Sequence, residues 1–366
     1  MKKFFRICIA ALTLFAAGEF VFAKDNGEVK AETLERPPVL RMTEDGYRIL
    51  WNAEGKSCGK LVLKDRHGNR KEIVPVRGKV NYKDSGYMAD FNELVPGEKY
   101  SVKIPGYGKL TFFAPPEKGK SFTFAAISDH QTIEEITEQG FMAVAGEKPD
   151  CIVSAGDMLE DGKIKNWRKN FFEKISLLQG IPFACAEGNN DTGGGLFSSF
   201  FGLENRWYAA KYAGVTFIFL DSNMPLRSGS EQLEWLEKTL CEDSSDWKVV
   251  VYHHSSFNST EPDWSFTKNR EEITSLFEKY GVNLVINGHI HLYDRTKLIN
   301  GVQYVTLPTM SGNFAKRVEV NENTSYYAKT IMGFRGYGLF TVDGNVIKAV
   351  VKDLDGNIMD EFEVQK

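Results

Sequence analysis

Cysteine is sparse in this chain, five in 366 residues, and its wide, irregular spacing excludes a disulfide framework as the basis of the fold. Charge of one sign is not in excess either. A formal net charge of −4 and a sequence pI near 6.0 leave no overall basic field for nucleic acid or anionic membrane, so nucleic acid is not expected as a partner. Beyond Ala23 no stretch is apolar enough to span a bilayer. Internal repeats and low-complexity tracts are missing, which excludes solenoids and fibrous arrays.

What the chain has in quantity is core-forming material. With 42% hydrophobic residues, 366 positions suffice for one large domain or two ordinary ones. Lys2, Lys3 and Arg6 precede an apolar stretch from Ile7 to Ala17, and Val21-Phe22-Ala23 offers a cleavage site, so residues 1–23 read as a secretory signal. Arg6 and Glu19 interrupt that segment and leave fewer consecutive apolar residues than the ~20 a membrane span needs. No Cys follows at a lipidation position. The mature chain, starting at Lys24, is therefore expected in the periplasm or secreted, without a stable membrane anchor. Its cysteines Cys58, Cys151, Cys185 and Cys241 are expected as buried free thiols.

After a polar linker over residues 24–35, residues 36–115 show short alternating segments such as Tyr47-Arg48-Ile49-Leu50-Trp51 and Lys60-Leu61-Val62-Leu63, an all-β pattern. Leu94-Val95-Pro96-Gly97-Glu98-Lys99-Tyr100 resembles the tyrosine corner of a fibronectin type III sandwich, with Trp51 in the core. The run Ala114-Pro115-Pro116-Glu117-Lys118-Gly119-Lys120 breaks both helix and strand and marks a boundary. From residue 120 to 366 apolar runs alternate with helical periodicity, the pattern of an α/β domain. Strands are expected at 122–127, 151–155, 183–186, 216–220, 249–252 and 284–286. Ile164, Trp167, Phe171, Ile175 and Leu178 share one helical face, as do Leu233, Leu236 and Leu240, and Ile273, Leu276, Phe277 and Tyr280. Ser228 with Glu231 reads as a capping box.

Each of five expected strands ends in a polar cluster: Asp129-His130-Gln131, Gly156-Asp157, Gly188-Asn189-Asn190-Asp191, His253-His254 and Gly288-His289-Ile290-His291. Ligands of open α/β sheets bind beyond the carboxyl ends of strands, so these clusters are expected to converge. Of six histidines only His67 lies outside them. Carboxylate and amide oxygens with imidazole nitrogens suit Fe, Zn or Mn.

The ordered set Asp129, Gly156-Asp157, Gly188-Asn189, His253 and Gly288-His289-Ile290-His291 resembles the calcineurin-like metallophosphoesterase superfamily. The extension Leu292-Tyr293-Asp294-Arg295 is similar to the version in purple acid phosphatases, which also carry a fibronectin-like domain in front. This resemblance implies a β-sandwich of two mixed sheets flanked by helices, and two divalent or trivalent transition-metal ions. It implies that Asp157 bridges them, that Asp129 and His291 bind the first ion, and that Asn189, His253 and His289 bind the second. The reaction implied is hydrolysis of a small phosphomono- or diester by in-line attack of a metal-bridging hydroxide.

Three positions depart from the family. Gln131 stands where His is common, and either Gln131 or His130 is left to complete the first site; strand alternation favours Gln131. Glu160 replaces the tyrosine of purple acid phosphatases, so no iron-tyrosinate colour is expected. Asn190 stands where the family has a His that protonates the leaving group, a role that then passes to His254 or His130, and Asp191 is expected to orient Asn190 or a ligand, or to cap a loop. Arg295 faces either a phosphate oxygen or a salt bridge. Loops 192–197 and 257–266 are expected at the pocket mouth. Two other readings stay open: a degenerate relative that binds without turnover, and a surface protein acting through its β-sandwich.

Overall fold

The computed structural model describes residues 36–52, 58–77, 86–257, 259, 270–315 and 326–366. The expected signal, the linker to residue 35 and most of loop 257–266 lie outside the described residues. Among the described residues no helix is long and apolar enough to cross a membrane.

The apolar runs that read as buried strands are buried strands. Phe122–Ile127, Cys151–Ser154 and Phe183–Cys185 lie side by side in parallel, with Ile152 opposite both Ala125 and Phe183. Nearly every residue in them is buried, as expected of strands covered on both faces. They form the middle of a ten-stranded sheet whose order is Ile358–Gln365, Val346–Asp353, Gly336–Asp343, Phe122–Ile127, Cys151–Ser154, Phe183–Cys185, Val39–Met42, Gly46–Asn52, Gly86–Asn92 and Val76–Arg77. A seven-stranded sheet lies against it, in the order Tyr208–Tyr212, Val215–Phe219, Trp247–Val251, Leu284–Asn287, Gln303–Thr306, Tyr293–Thr296 and Tyr327–Ile331. Phe124 joins the two layers, meeting Phe217 edge-on at 5.1 Å and stacking on Phe340 at 5.0 Å.

Helices cover the outer faces. Phe141 and Val144 of Glu134–Glu147 pack with Ala125, Ile127 and Ile152 of the large sheet. Leu233, Leu236 and Leu240 of Glu231–Glu242, with Ile273 and Phe277 of Arg270–Lys279, pack on Ile218, Val250 and Val285 of the smaller one. The result is the expected β-sandwich of two mixed sheets between helices.

A third sheet of four strands, Arg70–Ile73, Leu61–Asp65, Lys99–Ile104 and Gly108–Phe113, closes over the strands Gly46–Asn52 and Gly86–Asn92. Trp51 fills their shared core, stacked on Tyr87 at 5.7 Å. The Tyr100 hydroxyl accepts the Val95 N–H at 2.9 Å, the back-bond that the corner sequence requires. The expected boundary at 115–120 is a loop, yet hydrogen bonding runs across it, because Arg41 of Val39–Met42 pairs with Phe183.

Three local expectations need correction. Ser228 does not cap the helix at Glu231; Ser230 does, accepting the Leu233 N–H at 3.4 Å, while the Ser228 hydroxyl is spent on Glu272 at 2.6 Å. Cys151 and Cys185 are buried free thiols, but Cys241 is exposed and Cys58 half-buried, because neither lies within a sheet interior. The stripe from Ile164 to Leu178 is not one regular helix: a π-helical stretch, Trp167–Phe172, interrupts it, and its aromatic rings pack into one cluster around Trp167.

Candidate metal centre

The expected strand-end clusters converge at the edge between the two central sheets. Asp129, Asp157, His289 and His291 all have positive φ, from 51° to 74°. This left-handed backbone is costly for a side-chain-bearing residue and is usually found where function holds it in place. Glycines make the crowding possible. A Cβ on Gly188 would lie 2.1 Å from the Asp157 nitrogen, and one on Gly288 would lie 1.8 Å from Ser128 Oγ.

Asp157, almost fully buried, is the hub. Its Oδ2 atom is 3.2 Å from Gln131 Nε2, 2.9 Å from Asn190 Nδ2 and 3.4 Å from His253 Nε2. On one side, Asp129, Asp157 and His291 bring one ligand atom each within 4.8 Å of one another. On the other, His253 Nε2 lies 3.0 Å from Asn189 Oδ1 and 3.3 Å from His289 Nδ1. Ring nitrogens and oxygens facing inward at such separations suit donors around an ion, and the surroundings hold the rings in that orientation. His253 Nδ1 is 2.9 Å from the Ala155 carbonyl, and His291 Nδ1 is bonded to the Asn313 carbonyl, leaving each Nε2 facing the cluster.

The donor set passes a further test of fit. Buried carboxylates require a compensating charge. Burial acts to raise the Asp129 pKa, but His291, with His253 and the Ser128 hydroxyl, holds it well below the usual carboxylate range. Burial acts to lower the two histidines, and the carboxylates overcome it: His253, chiefly through Asp157, and His291, chiefly through Asp129, are both raised to about 9. The Gln131 side-chain oxygen Oε1 is buried and has no hydrogen-bond partner among the described residues. Half a turn of that amide would set this oxygen against Asp157 and His291, the orientation a cation would select.

Gln131 thus joins the cluster, whereas His130 does not. The His130 ring is fully buried against Phe141 and Phe171, at 5.2 and 6.4 Å between ring centroids, with Nε2 3.4 Å from Ser154 Oγ. Burial pushes its pKa down to about 4. His254 is close by: its ring centroid is 4.4 Å from that of His289, and Ser222 Oγ lies 2.8 Å from its Nδ1. Asn190 is turned onto Asp157, its backbone N–H donating to Oδ1 at 2.8 Å and its side chain to Oδ2. Asp191 caps loops: it accepts the N–H groups of Met158 at 2.8 Å, Leu159 at 3.1 Å and Gly188 at 2.9 Å. Glu160 accepts a hydrogen bond from Thr132 at 2.5 Å, and Arg295 forms a salt bridge to Asp360 at 2.7 Å.

Supporting residues that carried no sequence signal also surround the site. Thr309 donates to the Asp129 carbonyl at 2.8 Å and Ser311 to that of Gln131 at 2.6 Å. The Asn223 side chain donates to the carbonyls of Glu187 at 3.2 Å and Gly188 at 3.3 Å. Arg206 spans Glu187 at 3.2 Å and Asp221 at 3.0 Å. Each is remote in sequence from the motif it holds, and Ser, Thr and Asn occur in too many other roles to single these out.

Residues 122–293 match the family model for calcineurin-like phosphoesterases. The chain is 22% identical to "Probable inactive purple acid phosphatase 1" of Arabidopsis thaliana, over 78% of this chain and 59% of that one, and so spans less than two thirds of that relative. It is 25% identical to purple acid phosphatase 21 of the same plant, over 72% of this chain and 68% of that one. Its fold is similar to that of purple acid phosphatase PPD1 from yellow lupin (Lupinus luteus) seeds, with a TM-score of 0.77 and 19% identity over 90% of this chain and 74% of that one. Residues 122–293 therefore carry a calcineurin-like phosphoesterase domain.

Proposed function

We propose that the chain is an exported hydrolase of small phosphomono- or diesters working at a dinuclear metal centre. The observation that carries this reading is the position of Asp157, one buried carboxylate facing two sets of donors. Asp129, Gln131 and His291 would hold one ion, Asn189, His253 and His289 the other, and Asp157 both; Fe, Zn and Mn suit such oxygen and imidazole donors. When bound, the ions supply Lewis acidity, which acidifies water and neutralises charge on the phosphoryl oxygens.

The chain's own residues supply orientation and protons. Asn190 fixes the Asp157 carboxylate and can offer a hydrogen bond to the substrate, but an amide cannot deliver a proton at neutral pH. His254 is the proton donor in this reading, because it stands beside His289 with Ser222 setting its ring. His130 is too enclosed for that task. Export rests on the sequence of residues 1–23, and N-terminal sequencing of the protein from its native cells would expose an uncleaved leader.

Metal content and hydrolysis of an aryl phosphate, then of a mono- and diester panel, test the catalytic reading. Activity should vanish with chelator and with Asp157→Asn. A chain replete with metal but inert on the whole panel would overturn it. The second reading, a binding protein without turnover, draws on one observation: the residue standing at the family's proton-donor position, Asn190, is engaged with Asp157. It requires about one ion per chain, so two tightly held ions would exclude it.

A further inference from the structure

The four-stranded sheet buries one face and exposes the other. Alternation sends Leu61, Leu63, Val102 and Leu110 inward and Lys64, Lys103 and Lys109 outward. The register then sets like charges side by side, with Lys64 directly opposite Arg70 and Lys103 directly opposite Lys109. Directly opposed cross-strand residues have Cβ atoms about 4.5–5.5 Å apart, and like charges there destabilise the sheet. Among the described residues none of these four cations has an acidic partner, and the neighbouring Glu72 is taken by Lys60 at 2.6 Å. All five cations line one cleft of about 750 Å³, over a floor that includes Val62 and Ser101, and no metal-centre residue belongs to it. In a chain of formal net charge −4 this is a local concentration of positive charge that packing does not require.

We propose that this cleft binds a linear phosphate polymer. Each strand contributes a cation, so the charge extends across four strands spaced about 4.8 Å apart, longer than a single phosphate. Lysine and arginine donate charge-assisted hydrogen bonds to phosphate oxygens. Among the described residues the cleft lining has no aromatic side chain on which a base could stack, which disfavours single-stranded nucleic acid. Its concave shape fits a chain better than a flat bilayer. The inference does not depend on turnover at the metal centre.

The test uses the full-length chain and inorganic polyphosphate, with binding followed by calorimetry in chelator so that hydrolysis plays no part. Binding should weaken at least about tenfold between 50 and 200 mM salt, as expected when several phosphates are neutralised. Lys64→Glu/Arg70→Glu and Lys103→Glu/Lys109→Glu should each weaken it at least tenfold, whereas Asp157→Asn and the distant Lys238→Glu should leave it unchanged. Circular dichroism and melting confirm that the doubly charge-reversed chains are folded, since all four positions are exposed. No binding, equal binding by the reversed variants, loss of binding in Asp157→Asn, or tighter binding to oligothymidylate or anionic phospholipid vesicles would each overturn the proposal.

Discussion

Asn190 grips both oxygens of Asp157, its backbone N–H at 2.8 Å from Oδ1 and its side-chain amide at 2.9 Å from Oδ2. A residue so placed orients a carboxylate whose direction decides how metal donors meet. Outer partners of this kind typically change metal affinity about 10–100-fold when removed. Asn190→Ala should therefore lower metal affinity within that range while the fold is kept, as measured by competition titration against a chromophoric chelator. Unchanged affinity would show that the grip has no orienting role. Asn190→His should raise turnover of alkyl phosphates more than of aryl phosphates, since only poor leaving groups need the proton.

Metal uptake should release protons. His253 and His291 are raised from an ordinary 6.5 to about 9 in the metal-free chain, and an ion binds only the deprotonated rings. The sign follows from a raised folded-state pKa. Their pairing with carboxylates stabilises the metal-free chain fully below about 6.5 and is lost as pH rises through about 9. Metal affinity runs the other way and climbs across that window. Calorimetric metal titrations near neutral pH, in two buffers of different ionisation enthalpy, should differ by the heat of the released protons; identical heats would refute the account.

Gln131 and His130 should separate cleanly on substitution. Gln131→His places an imidazole, a stronger transition-metal ligand than a neutral amide, beside Asp157 and His291 and should tighten the first ion. His130→Phe should leave metal content unchanged, because that ring faces Phe141 and Phe171. Metal analysis after dialysis distinguishes the two, and loss of one ion in a folded His130→Phe chain would contradict this placement.

The corner hydroxyl makes a prediction about stability alone. Tyr100→Phe removes the acceptor for the Val95 N–H. It should lower unfolding free energy by about 0.5–1.5 kcal/mol, the usual worth of one such bond, read from the denaturant midpoint. Metal binding should not change. A midpoint identical to that of the parent would mean that water serves Val95 equally well.

Much of this protein was legible in its sequence. Strands such as Phe122–Ile127 and Leu284–Asn287 could be read because burial on both faces demands uninterrupted apolar residues, and a strand end is where a polar cluster stands out. Gly288-His289-Ile290-His291 was readable for the same reason, since few roles other than metal ligation call for that pattern. Tertiary structure alone decided the rest. Strand alternation favoured Gln131 over His130, but only the packed helix Glu134–Glu147 shows His130 enclosed by Phe141. Thr309, Ser311 and Asn223 became support residues through contacts remote in sequence, which leave no local pattern. The opposed cations Lys103 and Lys109 depend on the hairpin register between their strands. Periodicity is a local property of a chain, whereas which side chains face each other is set by register and layer packing, and these exist only once the sheets have met.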